Sequence, residues 1–254
     1  MEKTPQDIEF DNWIREYYNK KVTTKANNEY EKFRWFSTNN KRRQYRFTIQ
    51  SLHFHFKDVE LKNCLDIGCG PGTWTKLLMK KYPKAKFVCV DISKEMINQF
   101  KKSIDRKEKK RLKFIVSSFI DANPKGRYDF VFASRSIEYM PNKPLAMRKI
   151  NKMMKPGGQG IIVTSPPHKA YLKIKKFLGK KVNKQHTKRI SVEDMRNLLR
   201  KEGFKNIKFY PILFTDSPLV PTSFLFHNFY RKRWCLISKM FASGYLVKFK
   251  KPSQ

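Results

Sequence analysis

The chain has 254 residues, 40% of them hydrophobic and 14% aromatic, which excludes a disordered chain and is enough for one large core but not for two full-sized catalytic domains. Its formal charge of +35 implies attraction to nucleic acid, anionic lipid head groups or acidic substrates. Lysines run through nearly every segment, however, so the charge reads equally well as solvated helix faces.

Residues 1–60 predict an N-terminal helical cap rich in aromatics and arginine, with WIREYY, YEKFRWF and RRQYRFTIQSLHFHF in turn. Phe47, Leu52 and Phe56 fall on one face of it. From Asn63 the pattern changes to strands alternating with helices. Strands are expected at 63–67, 86–91, 112–116, 128–133 and 160–164, and helices at 73–81, 93–107, 137–140 with 144–154, and 191–202. Pro156-Gly157-Gly158 reads as a stop before the fifth strand. The tail offers two more strands, 204–213 and 243–249. This alternation predicts an α/β fold with a Rossmann-like, doubly wound, seven-stranded and mostly parallel sheet. One domain over 61–254 would follow the cap, with insertions at about 165–190 and 214–241.

Cys64, Cys69, Cys89 and Cys235 form no CxxC pair and no zinc spacing, so no metal site is expected and a reducing, cytoplasmic setting is. The stretch MEKTPQDIEF lacks the layout of a signal peptide, and no apolar run approaches a membrane span.

The stretch CLDIGCGPGT, Cys64 to Thr73, places three glycines at a strand-to-helix turn, where backbone N–H groups favour a polar or anionic ligand. Gly68, Gly70 and Gly72 read G-x-G-x-G, one residue short of the dinucleotide fingerprint, and no Gly-Lys-Ser/Thr follows to make a phosphate loop. Asp66 puts a carboxylate near the ligand, which would repel a pyrophosphate and could accept from an ammonium group. Asp91 ends the second strand, where it can accept from two ribose hydroxyls or cap the helix beginning near Ser93. A ribose and an amino acid together describe S-adenosylmethionine (SAM).

LDIGCGPGTWT, followed by VDIS, FIVSS, YDFVFASRSIEYM and MMKPGGQGIIVTSPP, resembles the class I SAM-dependent methyltransferases, in the group acting on small molecules, lipids and glycans. The resemblance covers about 63–213. It implies that Gly68, Gly70 and Gly72 admit the methionine part of SAM, that Asp66 holds its ammonium and that Asp91 binds the ribose. It further implies Ile92 against the adenine, Ser118 and Phe119 at the adenine edge, and Ala133 to Arg135, with Ser134, under the sulfonium. Related sequences commonly carry an acid where Ser118 stands.

Methyl transfer needs alignment above all, and a hydroxyl acceptor would gain from a general base. The candidate bases are His168, which follows Ser165-Pro166-Pro167, and Glu138, with Tyr139 and His186 behind them. Arg42, Arg43 and Arg46 could reach the cofactor carboxylate or an anionic acceptor. The basic, aromatic-spaced insertions suit an anionic membrane surface and hence a lipid-linked acceptor. They would also suit RNA by charge and stacking, which is the second reading. A non-catalytic binding protein would be expected to lose the glycines or Asp91. An NAD-dependent oxidoreductase would need the longer glycine spacing. The expectation is therefore a SAM-dependent methyltransferase acting on oxygen of a small-molecule, lipid or glycan acceptor.

Overall fold

A computed structural model describes residues 3–167, 188–214 and 229–253. Seven strands form one sheet in the order β3-β2-β1-β4-β5-β7-β6. They are β1 (Asn63–Ile67), β2 (Lys86–Asp91), β3 (Leu112–Val116), β4 (Tyr128–Ser134), β5 (Met154–Thr164), β6 (Lys205–Phe214) and β7 (Ala242–Lys250). The first five are parallel, and β7 runs antiparallel between β5 and β6. All seven strands expected from the sequence are thus present, in one mostly parallel sheet.

Alternate residues of each strand face opposite layers, because side chains switch face at every step. Cys64, Cys89, Phe130 and Phe132 pack under α3 (Asn39–His55), α4 (Thr73–Lys81) and α5 (Lys94–Lys102). Leu65, Ile67, Val131 and Ala133 pack on the other side under α7 (Lys143–Met153) and α8 (Val192–Lys201). Both faces are covered, which is why the central strands are apolar along most of their length.

Two boundaries differ from the sequence reading. The helix expected over 93–107 breaks at Ser103–Asp105, because Asp105 and Glu108 form a reciprocal capping box that starts the short α6 (Arg106–Lys109) afresh. Pro156-Gly157-Gly158 does not stop the chain before β5. The strand begins at Met154, and its pairing jumps from Tyr128↔Met154 to Phe130↔Gln159, so the three residues bulge out of the ladder. Lys251 N–H then donates to the Gly158 carbonyl at 2.9 Å, which takes up the displaced backbone.

The helical N-terminus divides in two. Leu52 and Phe56 of α3 are fully buried against Phe130 and Phe132, so α3 is a layer of the core. Burying a side chain of this size contributes about 1.5–3 kcal/mol. By contrast, α1 (Pro5–Lys20), the π turn Lys21–Lys25 and α2 (Tyr30–Phe36) lie over the carboxyl ends of the strands. They are tied down by polar contacts: Asn19 Oδ1 accepts from Ser93 Oγ at 2.7 Å, Tyr30 N–H donates to Gln99 Oε1 at 3.1 Å, and Lys76 pairs with Glu31 at 2.9 Å. Trp35 of α2 meets Trp74 of α4 edge to face at 5.3 Å. No described helix is long and apolar enough to cross a membrane.

Candidate functional site

A cavity of about 480 Å³ opens between these first two helices and the carboxyl ends of β1, β2, β3 and β4. It straddles β1, where the strand order turns back on itself, the place such sheets hold their ligands. Gly68, Gly70, Asp91, Ile92, Ser118, Phe119 and Ser134 all line it. Residues that the sequence picked out separately therefore share one concave surface.

The loop after β1 is shaped by what surrounds it. Gly68 N–H donates to the Val90 carbonyl at 2.7 Å, and Gly70 N–H donates to Asp91 Oδ2 at 2.8 Å. Asp91 Oδ1 accepts from Ser93 N–H at 2.9 Å, so the same carboxylate ends β2, holds the loop and faces the cavity. Burial pushes its pKa up to about 6, against the pull of the two N–H donors. At neutral pH it remains an anion that can accept from vicinal hydroxyls.

The three glycines are needed for different reasons. A Cβ on Gly68 would sit 2.2 Å from Ser136 Cβ, and one on Gly72 would sit 2.3 Å from the ring of Phe100. Gly70 alone has nothing within 4 Å and opens on the cavity. Gly72, expected to face the ligand, lies just behind the lining, between Pro71 and Thr73.

Asp66 lies beneath the loop, 2% exposed, and accepts from Thr75 Oγ at 2.5 Å without lining the cavity. Burial raises its pKa to about 7, and the Thr75 hydrogen bond works against that rise.

At the β3 end, Ser118 Oγ donates to Asp121 at 2.9 Å and accepts from Lys3 Nζ at 2.7 Å. Lys3 also pairs with Asp11 at 2.6 Å and with Asp121. Ser118 thus stands in the lining with an acid, Asp121, hydrogen-bonded behind its hydroxyl. Ser134, at the end of β4, lines the cavity with a buried hydroxyl that has no hydrogen-bond partner. Such an orphaned donor calls for a ligand or water.

Glu138 does not reach the cavity. Its carboxylate accepts from Thr164 Oγ at 2.6 Å and Ser165 N–H at 3.2 Å, and pairs with Arg135 at 3.3 Å. Burial alone would raise its pKa, yet Arg135, Thr164 and Arg189 hold it below the usual glutamate value. Glu138, expected as a base, thus stands behind the cavity lining beside Arg135, with its Oε1 buried and without a hydrogen bond. His168 and His186 lie outside the described residues, as do residues 168–187 and 215–228 of the two insertions. Among the described residues no group of His, Cys, Asp or Glu could hold a metal ion.

Arg42, Arg43 and Arg46 are exposed on α3 and do not line the cavity. Three other arginines do: Arg34 of α2, Arg135 after β4 and Arg189 before α8. Arg135 takes a left-handed backbone, φ 59°, fixed by its N–H donating to the Val163 carbonyl at 2.8 Å. Tyr18, Tyr30 and Tyr139 stand beside them, with Tyr18 edge-on to Tyr139 at 5.7 Å. Nothing in the local sequence marks Arg34, Arg189 or Tyr18, because only packing brings them to the strand ends.

Residues 39–208 match a family model described as a methyltransferase domain. The chain is 33% identical over 99 residues to malonyl-[acyl-carrier protein] O-methyltransferase 2 of Ilyobacter polytropus, covering 39% of this chain and 38% of the relative. It is 33% identical over 98 residues to a trans-aconitate 2-methyltransferase of Rhodopseudomonas palustris, covering 37% and 34%. It therefore spans less than half the length of these relatives. Among solved structures it resembles magnesium protoporphyrin IX methyltransferase from Synechocystis with bound S-adenosylhomocysteine (SAH). That likeness has a TM-score of 0.62 at 14% identity and covers 94% of this chain and 99% of that one. An N-methyltransferase from Bradyrhizobium japonicum in complex with SAH follows at a TM-score of 0.56 and 15% identity, covering 86% and 91%. At these identities the likeness is one of fold.

Proposed function

Because the chain belongs to the methyltransferase-domain family, as a class I SAM-dependent methyltransferase, we propose that it transfers a methyl group to oxygen of a small-molecule, lipid or glycan acceptor. The observation that carries this reading is the shared cavity, in which Asp91 faces the same space as Gly70 and the unpartnered Ser134 hydroxyl. The Ilyobacter relative is named an O-methyltransferase, which supports oxygen as the acceptor atom.

The residues present fit SAM. Asp91 would accept from the ribose hydroxyls, Ile92 and Phe119 would flank the adenine, and Ser118 would meet its edge. Gly70 would admit the methionine part, and Ser134 would gain the partner it lacks. Asp66 would act from beneath the loop, through Thr75. When bound, SAM supplies a methyl carbon already activated by its sulfonium. The protein then contributes alignment, which can lower a barrier by roughly 7–11 kcal/mol. The first two helices wall the cavity, so water is kept from the reacting atoms.

Calorimetric titration with SAM and, separately, NADH tests this reading. SAM is expected to bind the wild type and to bind Asp91→Ala at least about tenfold more weakly, a loss of 1.4 kcal/mol or more. NADH is expected not to bind. A wild type that ignores SAM would end the proposal.

A further inference from the structure

The cavity has two ends of different character. At the β3 end stand Ile92, Ser118 and Phe119, and at the β4 end stand Arg34, Arg135, Arg189, Tyr18 and Tyr139. If the nucleoside occupies the first, as proposed above, the acceptor meets the second. Resting on that reading, we infer that the acceptor is a carboxylic acid, held by Arg34 and Arg189 and methylated on its carboxylate oxygen.

The charge at this end is unbalanced. Three guanidinium groups line it, and the one carboxylate paired with any of them is Glu138, engaged with Arg135. Among the described residues neither Arg34 nor Arg189 has an ion-pair partner, and Arg189 Nε is buried without a hydrogen bond. The Arg34 guanidinium lies 4.1 Å from the Trp35 ring centroid, and Arg34 lines the cavity. Burial lowers the pKa of both groups; Glu138 works against this at Arg189 and Tyr30 at Arg34, while Arg135 adds to it at each, so three guanidinium groups share one carboxylate out of water. Such an arrangement lacks an anion, and the planar forks of arginine suit a carboxylate.

The chemistry agrees. Among the described residues none of the side chains named at this end is an available base, and Glu138 lies behind the lining, paired with Arg135. A carboxylate needs none, because it is ionised at neutral pH. Its oxygen forms the new C–O bond as the C–S bond of SAM breaks. The electron pair stays on sulfur, giving the neutral thioether SAH and a methyl ester, and no proton moves. Esterification also removes the charge that the arginines hold, so the product is released more readily than the substrate binds.

The test uses the full chain saturated with SAH. Calorimetry would follow binding of short mono-, di- and tricarboxylic acids, their amides and phosphate monoesters. In parallel, methyl-labelled SAM would be supplied with the same panel and any product treated with alkali. We expect an acid to bind where its amide does not, and the labelled methyl to leave as methanol under alkali. Arg189→Gln should weaken acid binding by about tenfold or more while SAM affinity stays within about twofold. Arg189→Lys should fall between, since it keeps the charge and loses the fork. Thermal melts would confirm that both variants are folded. An alkali-stable product, tighter binding of phosphate esters than of acids, no acid binding, or acid binding untouched by Arg189→Gln would each overturn the inference. Failure of SAM itself to bind would instead overturn the cofactor reading.

Discussion

Gly70 and Asp91 meet across the ends of β1 and β2, with the Gly70 N–H donating to Asp91 Oδ2 at 2.8 Å. One carboxylate thereby fixes the loop and presents itself to the cavity, so the shape of the loop and the charge of the site depend on the same group.

This coupling predicts a pH dependence. With a pKa pushed up to about 6, Asp91 loses its anionic acceptor as the pH falls through that value. SAM affinity is expected to be level above about pH 7 and to drop steadily between about 6 and 5. Calorimetry at a series of pH values would show it, and Asp91→Asn should flatten the curve.

Asp66 predicts an opposite effect on stability. Its folded pKa of about 7 lies above the unfolded value of about 3.9. Between the two the folded chain keeps a proton that the unfolded chain has released, so stability falls as pH rises through this window. Asp66→Asn is therefore expected to raise the melting temperature at pH 8, by on the order of 2 kcal/mol of stability, and to change it little near pH 4. An unchanged or lower melting point at pH 8 would show that the buried carboxylate is stabilised as an ion.

The glycines should separate by substitution. Gly72→Ala drives a methyl into the buried Phe100 ring and is expected to cost about 2–4 kcal/mol of stability. Gly70→Ala meets no atom within 4 Å and bears only the strain of φ +55°, about 1–2 kcal/mol, so its main effect should be on SAM affinity. Melting curves and SAM titrations of the two variants would decide the matter, and equal melting points would contradict it.

Glu138→Gln should behave as loss of a structural ion pair. Leaving Arg135 without its charge partner is expected to cost about 3 kcal/mol of stability. The rate-limiting pH limb should stay where it is. A variant with normal stability, a rate lowered about 10²–10⁴-fold and a vanished ascending limb would restore Glu138 as the base.

The legible half of this protein is the half built from short-range pattern. All seven strands were readable because each is an apolar run between turn signals, and the parallel pairing of the first five agrees with the helices that alternate with them. Asp91 was readable because it ends a strand at a fixed distance from a glycine turn. Two local details escaped. The Pro-Gly-Gly segment reads as a stop, but pairing with Lys251 lets it bulge from β5 instead. Three glycines of one motif look alike in sequence, yet Phe100 and Ser136 dictate two of them.

The sequence by itself determined the sheet, the family and the residues that line the β3 end of the cavity, because those depend on spacing along single strand-turn-helix units. Only the tertiary structure decided the other end of the cavity. Arg34, Arg135, Arg189 and Tyr18 come from four separate stretches of chain, and Arg42, Arg43 and Arg46, which looked equivalent, face outward on α3. An arginine reads the same in either setting. What distinguishes them is burial at the strand ends, which is a property of packing.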